Sequence, residues 1–183
     1  MLSNGDLSKE LPLFEESSLQ IETQKTEKYT QSPLCRLEKM YHAAVLGIKD
    51  YFRKNNIKKA LLGLSGGIDS ALVVVLAVEA LGKENVIGVL LPSEYSTSHS
   101  ITEAKASAEN LGIEYYTIPI KETFTSALKA LGPIFEGKEP NVAEENLQSR
   151  IRGMILMGIA NKIGAALLNT TNKSDLSVGY GTL

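Results

Sequence analysis

Cysteine is almost absent: Cys35 is the only one among 183 residues. An internal disulfide framework is therefore excluded, and a lone thiol fits a reducing compartment. Cys35 reads as a small side chain at a helix start, because a free thiol behaves as a small hydrophobe. Histidine is nearly as scarce, with His42 and His99 the only two, which leaves little for a histidine-centred triad. No apolar run approaches the about 18 residues of a membrane span, and no positive segment leads an apolar one at the N-terminus. A membrane association is not expected, and the expected location is cytoplasmic. One-signed charge is missing too. The 19 Lys and Arg offset 21 Asp and Glu to leave −2, with no basic cluster long enough to follow a nucleic-acid backbone. A nucleic-acid partner is not expected. The remaining 43% apolar and 22% charged composition is ordinary for one soluble domain.

Residues 1–34 differ from the rest. They are rich in Ser, Glu, Gln, Thr and Lys, their apolar positions keep no period, and they read as a linker or poorly ordered tail. The folded domain is expected over 35–183. A helix over 34–54 carries Leu37, Met40, Tyr41, Ala44, Val45, Ile48 and Phe52 on one stripe, with His42 off it on the surface. Strands at 60–64, 85–91, 113–118 and 164–169 then alternate with helices at 69–82, 100–111, 121–131 and 143–162. Such alternation predicts an α/β fold, a parallel sheet covered by helices on both faces. The helix over 69–82 is apolar nearly all round and should be the most buried. Gly132-Pro133 and Gly137 to Pro140 punctuate an expected flap. Ligands in such sheets lie at the carboxyl ends of the strands. The loops expected there are 65–70, 92–99 and 170 onward, where polar residues accumulate.

The most informative segment is Ser65-Gly66-Gly67-Ile68-Asp69-Ser70, between the buried strand and the apolar helix. The first N–H groups of a helix lack intrahelical partners, and the macrodipole adds about half a positive charge there. Gly66 and Gly67 admit a phosphate without a Cβ in the way, and Ser65 and Ser70 bring hydroxyl donors. Asp69 would be repelled by phosphate unless a cation joined them, a role suited to Mg2+. The segment therefore calls for a nucleotide and a metal.

Other phosphate motifs do not fit. Ile68 stands where a P-loop needs Lys, and Gly63, Gly66 and Gly67 lack the dinucleotide-loop spacing. Gly63-Leu64-Ser65-Gly66-Gly67 satisfies the G-x-S-x-G nucleophile elbow. That chemistry needs an acid and then a histidine downstream. Only His99 follows, the acids between lie too close to Ser65, and Asp69 would have no task. Taken singly, Asp69 reads better as a first-turn acid facing the helix dipole, and only the six residues together favour the nucleotide and metal.

The six residues resemble the S-G-G-x-D-S loop of the N-type ATP pyrophosphatases, which split ATP into AMP and pyrophosphate to activate an oxygen for displacement by nitrogen or sulfur. Three further stretches are similar to the synthetase domain of glutamine-type NAD synthetases: Leu91 to Ser100, Glu145-Asn146-Leu147-Gln148-Ser149-Arg150-Ile151-Arg152-Gly153, and Asn169 to Gly181. The likeness covers about residues 36–183. It implies a ligase that amidates deamido-NAD to NAD, taking nitrogen from ammonia or glutamine. It further implies ATP contacts from Ser65, Gly66, Gly67, Ser70 and Thr170, Mg2+ ligands Asp69 and Asp175, a deamido-NAD contact from Arg150, and a homodimer; Lys173 reads equally as a phosphate contact or as a surface residue.

The residues themselves leave some points open. Arg150 and Arg152 lie about 160° apart on a helix, flanking the stripe of Leu147, Ile151, Met154, Ile155 and Gly158, so spacing does not choose between them. Asp175 stands where the family carries Glu, one methylene longer. The family pattern runs on past Leu183, which suggests a truncated domain of weak or no activity alone. Residues 1–34 do not resemble a glutaminase domain. The alternatives are another enzyme of this superfamily, tRNA-thiolating or GMP synthetase-like, and a nucleotide-binding module without full activity.

Overall fold

A computed structural model describes residues 2–3, 6–7, 10–20 and 34–178, the first two pairs by backbone alone. The chain divides into two compact units, 1–47 and 48–183. In the first, β1 (Leu2–Ser3) and β2 (Asp6–Leu7) pair antiparallel. Residues 10–20 form no helix or strand, and the Phe14 ring lies 5.7 Å from that of His42. The rest of the expected tail lies outside the described residues.

Helix α1 (Arg36–Lys54) runs from the first unit into the second. Its stripe is only partly covered: Phe52 is buried, whereas Leu37 and Met40 are exposed. His42 and Cys35 are exposed as well.

The second unit holds one four-stranded sheet. Strands β3 (Lys59–Gly63), β4 (Val86–Leu90), β5 (Glu114–Thr117) and β6 (Ala165–Leu167) lie in the order β5-β4-β3-β6, all parallel. The register pairs Leu61 with both Ile87 and Leu167. Connecting helices are α2 (Ile68–Leu81), α3 (Ser98–Leu111), α4 (Lys121–Phe135) and α5 (Val142–Ile163), with the short α6 (Lys173–Ser177) after β6. Successive strand residues point to opposite faces, and two cores result. Ala60, Leu62 and Val86 pack with Val74 and Ala77 of α2 and Ala104 and Ala108 of α3. Leu61, Ile87 and Val89 pack with Phe124 of α4 and Ile151 and Ala160 of α5. Both faces are covered by helices, as the alternation predicts.

The chain moves from β3 outward through β4 to β5, then returns to set β6 on the other side of β3. That reversal opens a crevice at the carboxyl ends of β3 and β6, the general ligand position in such sheets.

Two sequence expectations are corrected. Helix α2 is not sealed all round: Leu72 keeps 54% of its surface exposed, and Ile68 and Val75 are exposed too. Periodicity detects a helix but not how many neighbours reach it, and α2 packs on the sheet by one face. Helix α4 also does not stop at residue 131; it continues through Pro133 to Phe135. A proline so near a helix end removes a single ladder bond. The chain turns instead at Gly137, whose φ of +75° is left-handed. The expected flap shrinks to the connection between Phe135 and Val142.

Candidate active site

The connection from β3 to α2 is held by its own serines. The buried Ser70 hydroxyl, 3% exposed, donates to the Gly67 carbonyl at 3.0 Å and accepts the Ser65 N–H at 3.3 Å. A hydroxyl has one proton, so in the 3.0 Å contact between the two Oγ atoms Ser65 is the donor. Ser65 Oγ in turn accepts the Gly67 N–H at 3.2 Å. Both hydroxyl protons therefore stay inside the loop, and they fix its shape. A phosphate bond from either hydroxyl requires exchanging one of these contacts. What the loop presents outward is backbone: Gly67 is the α2 N-cap, and no side chain caps the helix. The first-turn N–H groups are thus open to an anion.

Gly66 is the tightest position. Its φ of +80° is left-handed, and a Cβ there would lie 2.2 Å from the Ser100 carbonyl oxygen. The second strand loop runs beneath it. Ser96 Oγ accepts the Ser93 N–H at 2.9 Å, and Thr97 Oγ1 caps α3 by accepting the Ser100 N–H at 3.1 Å.

The third wall follows β6. Asn169 Oδ1 accepts the Thr171 N–H at 2.9 Å. Asn172 and Asp175 form a capping box on α6, with the Asp175 N–H bonded to Asn172 Oδ1 at 3.0 Å. Asn172 Nδ2 also reaches Asp69 Oδ1 at 3.5 Å, across 103 residues of sequence. This long contact brings the two expected metal carboxylates, Asp69 and Asp175, to one asparagine. Hard carboxylate oxygens fit Mg2+, which takes one or two carboxylates together with substrate phosphates. Among the described residues no group of three or more His, Cys, Asp or Glu could hold a metal by itself.

Three cavities adjoin these loops. One of about 300 Å³ is lined by Leu64, Ser65, Leu91, Ser96, Ser100 and Thr170, among others. Thr170 thus lines the same cavity as Ser65. A second, of about 660 Å³, lies between α5 and the end of β6 and includes Asn146, Ser149, Thr170 and Thr171. A third, of about 540 Å³, includes Ser93, Tyr95, Glu144, Glu145 and Gln148. Arg152 lines all three. Its Nε donates to the Leu91 carbonyl at 3.1 Å, and partial burial pulls its pKa below the ordinary arginine value. Arg150 lines none of the three and is exposed, as is Lys173. Gly179, Tyr180 and Gly181 of the last motif lie outside the described residues.

The hydrolase alternative fails on geometry. His99 is exposed on α3 with its Nδ1 3.9 Å from Glu103, while Ser65 bonds to Ser70 and Gly67.

A parallel α/β sheet with a glycine-rich anion loop at its switch point defines a nucleotide-binding fold. A family profile described as NAD synthase matches residues 40–183, and the chain belongs to that family. It is 49% identical to the glutamine-dependent NAD(+) synthetase of Synechocystis sp. over 187 residues, covering 99% of this chain and 34% of that protein. Its fold is similar to that of the Acinetobacter baumannii glutamine-dependent NAD+ synthetase solved with ADP. The TM-score is 0.82 and the identity 39%, covering 87% of this chain and 30% of that one. The NH3-dependent NAD synthetase of Campylobacter jejuni, solved with nitrate, matches at TM-score 0.73 and 31% identity, covering 81% of this chain and 62% of that one. The chain thus spans about a third of the length of the glutamine-dependent relatives. No described helix is long and apolar enough to cross a membrane.

Proposed function

We propose that this chain carries the synthetase step of NAD formation, the ATP-dependent amidation of deamido-NAD. The observation that carries this reading is the uncapped α2 N-terminus, with Gly66 pressed against Ser100 and Asp69 at its rim. ATP supplies the nucleotide, its phosphates lying on the Ser65–Ser70 loop and its neighbouring parts against Thr170. In the first step a carboxylate oxygen of deamido-NAD bonds to the α-phosphorus, and pyrophosphate leaves with the electron pair. In the second, ammonia attacks the activated carbonyl, loses a proton, and AMP departs.

Neither step needs a covalent nucleophile from the protein. The chain's work is to align two anions and offset their charge with fixed N–H groups and cationic side chains. Mg2+, held by Asp69 and Asp175, would neutralise charge on the departing pyrophosphate. Arg150 would meet deamido-NAD from the exposed side of α5, and Lys173 a phosphate. Nitrogen reaches this chain as ammonia, free or released from glutamine. We further infer a homodimer, supported by the exposed apolar residues Leu72 and Val75 of α2 and Met154 and Met157 of α5, and a cytoplasmic location, supported by the single thiol.

Calorimetric titration with ATP and magnesium tests the reading, followed by pyrophosphate release on adding deamido-NAD. The expected result is saturable ATP binding that Asp69→Ala weakens about tenfold or more. Undiminished magnesium-dependent binding by Asp69→Ala would overturn the metal assignment, and no binding by the unsubstituted chain would overturn the reading.

A further inference from the structure

Two polar side chains on one face of α5 present polar atoms to a cavity and not to protein partners. Gln148 is 8% exposed, lines the third cavity, and its carboxamide makes no hydrogen bond among the described residues. Arg152, one turn on, is half-buried. It gives one N–H to Leu91 and meets no carboxylate among the described residues. The Gln148 amide atoms therefore remain accessible at the cavity wall, while the half-buried Arg152 charge has no counter-ion among the described residues, a costly arrangement unless an anion joins it. Residues four apart on a helix share a face, so these two groups converge. A guanidinium offers five donors in a planar fork matched to carboxylate and phosphate. Arg152 is also where the loop-side cavity, the α5–β6 cavity and the third cavity meet.

We propose that Gln148 and Arg152 form an oxyanion clamp, which holds the anionic oxygens of ATP and of the second substrate where the two meet. This rests on the synthetase reading above. In the adenylating step the new bond joins a carboxylate oxygen to the α-phosphorus. The bond from that phosphorus to the bridging oxygen breaks, the electron pair leaves with pyrophosphate, and no proton moves. Negative charge on the α-phosphate and the incoming carboxylate must be faced from a side the α2 loop does not occupy. Arg152 supplies that face, pinned in place by the Leu91 carbonyl at the end of a buried strand. Gln148 supplies a second, neutral donor beside it.

The decisive variant is Gln148→Glu. A glutamate four residues before an arginine is the favoured ion-pair orientation, so the new carboxylate would occupy the guanidinium from within while leaving the helix intact. Arg152→Ala and Arg152→Lys accompany it, with thermal melting to check the fold. ATP with magnesium, deamido-NAD alone and inorganic pyrophosphate are titrated separately into the full chain. The expected result is about tenfold or greater weakening by Gln148→Glu for ATP, deamido-NAD or both, with pyrophosphate changed less, because the clamp faces the α-phosphate and the carboxylate. The arm that weakens identifies which oxyanion dominates. Arg152→Lys should recover part of what Arg152→Ala loses. Where pyrophosphate release is measurable, Arg152→Ala should slow it about 10²-fold, at saturating substrates as well as at low ones. If the unsubstituted chain binds ATP and deamido-NAD while Gln148→Glu binds both within about twofold, the clamp is wrong and the synthetase reading stands. If the unsubstituted chain binds no ATP, both fall.

Discussion

The β3–α2 loop and the inner face of α5 border the same crevice but are built in opposite ways. The loop is self-contained. Four contacts among Ser65, Gly67 and Ser70 give it its shape, and its long-range ties are the approach of Gly66 to Ser100 and the long contact of Asp69 with Asn172. The α5 face is relational: Arg152 acquires its place from Leu91, 61 residues away, and Gln148 from burial against neighbouring elements. A locally built site can be read as a motif. A site assembled from distant elements becomes visible only once the fold brings them together.

The largest effect expected in either region is at Gly66. Alanine there combines a left-handed backbone with a Cβ 2.2 Å from a carbonyl oxygen. Chemical denaturation should show a loss of about 2–4 kcal/mol, and ATP titration should show no binding. A stable, ATP-binding Gly66→Ala chain would remove the claim that the loop shape is obligatory. Ser70→Ala comes next, with about 0.5–1.5 kcal/mol lost, because the loop loses the bonds that the buried Ser70 hydroxyl makes to the Gly67 carbonyl and the Ser65 N–H. Its counterpart on α5 is Arg150→Ala. The exposed arginine should leave stability within about 0.5 kcal/mol and ATP affinity within about twofold. Deamido-NAD affinity should fall about tenfold, as expected for a charge-assisted contact. Equal loss of ATP affinity in Arg150→Ala would erase the distinction between the two arginines.

The smallest effect lies outside both regions. Lys54, with Arg53, holds the Asp50 carboxyl below the usual carboxylate range. A depressed folded-state pKa means that the stabilisation is complete above the unfolded value and is lost as pH falls through the folded one. Asp50→Asn should therefore lower stability slightly at neutral pH and make no difference once the pH is well below about 4, where the carboxyl is protonated in both states. Paired denaturation curves at neutral and strongly acid pH would show it, and a difference that persisted undiminished in acid would count against this assignment.

How much of this was legible beforehand follows the same division. The strand at Lys59–Gly63 and the helix from Ile68 are set by local pattern, apolar β-prone residues and then a Gly-rich start, and both were visible in the sequence. So was the nearness of Thr170 to Ser65, because parallel strands place successive loops at one end. Burial was not legible. Leu72 and Val75 look like core residues in composition, but their exposure depends on which helices flank α2. Proline was misleading at position 133, where its cost is small because the helix was about to end. The choice between Arg150 and Arg152 was out of reach for a related reason. The hydropathic stripe puts Gln148 off its centre, whereas in the structure Gln148 is buried and Arg152 shares its face. A buried glutamine is a poor hydropathy signal.

The central claim is that the α2 N-terminus receives the ATP phosphates. Amide NMR spectra of the chain titrated with a non-hydrolysable ATP analogue and magnesium test it residue by residue. The expected result is that the largest shifts fall on the N–H groups of Gly66, Gly67, Ile68 and Asp69, with smaller ones at Thr170. Saturable binding that left those four amides unmoved would contradict it.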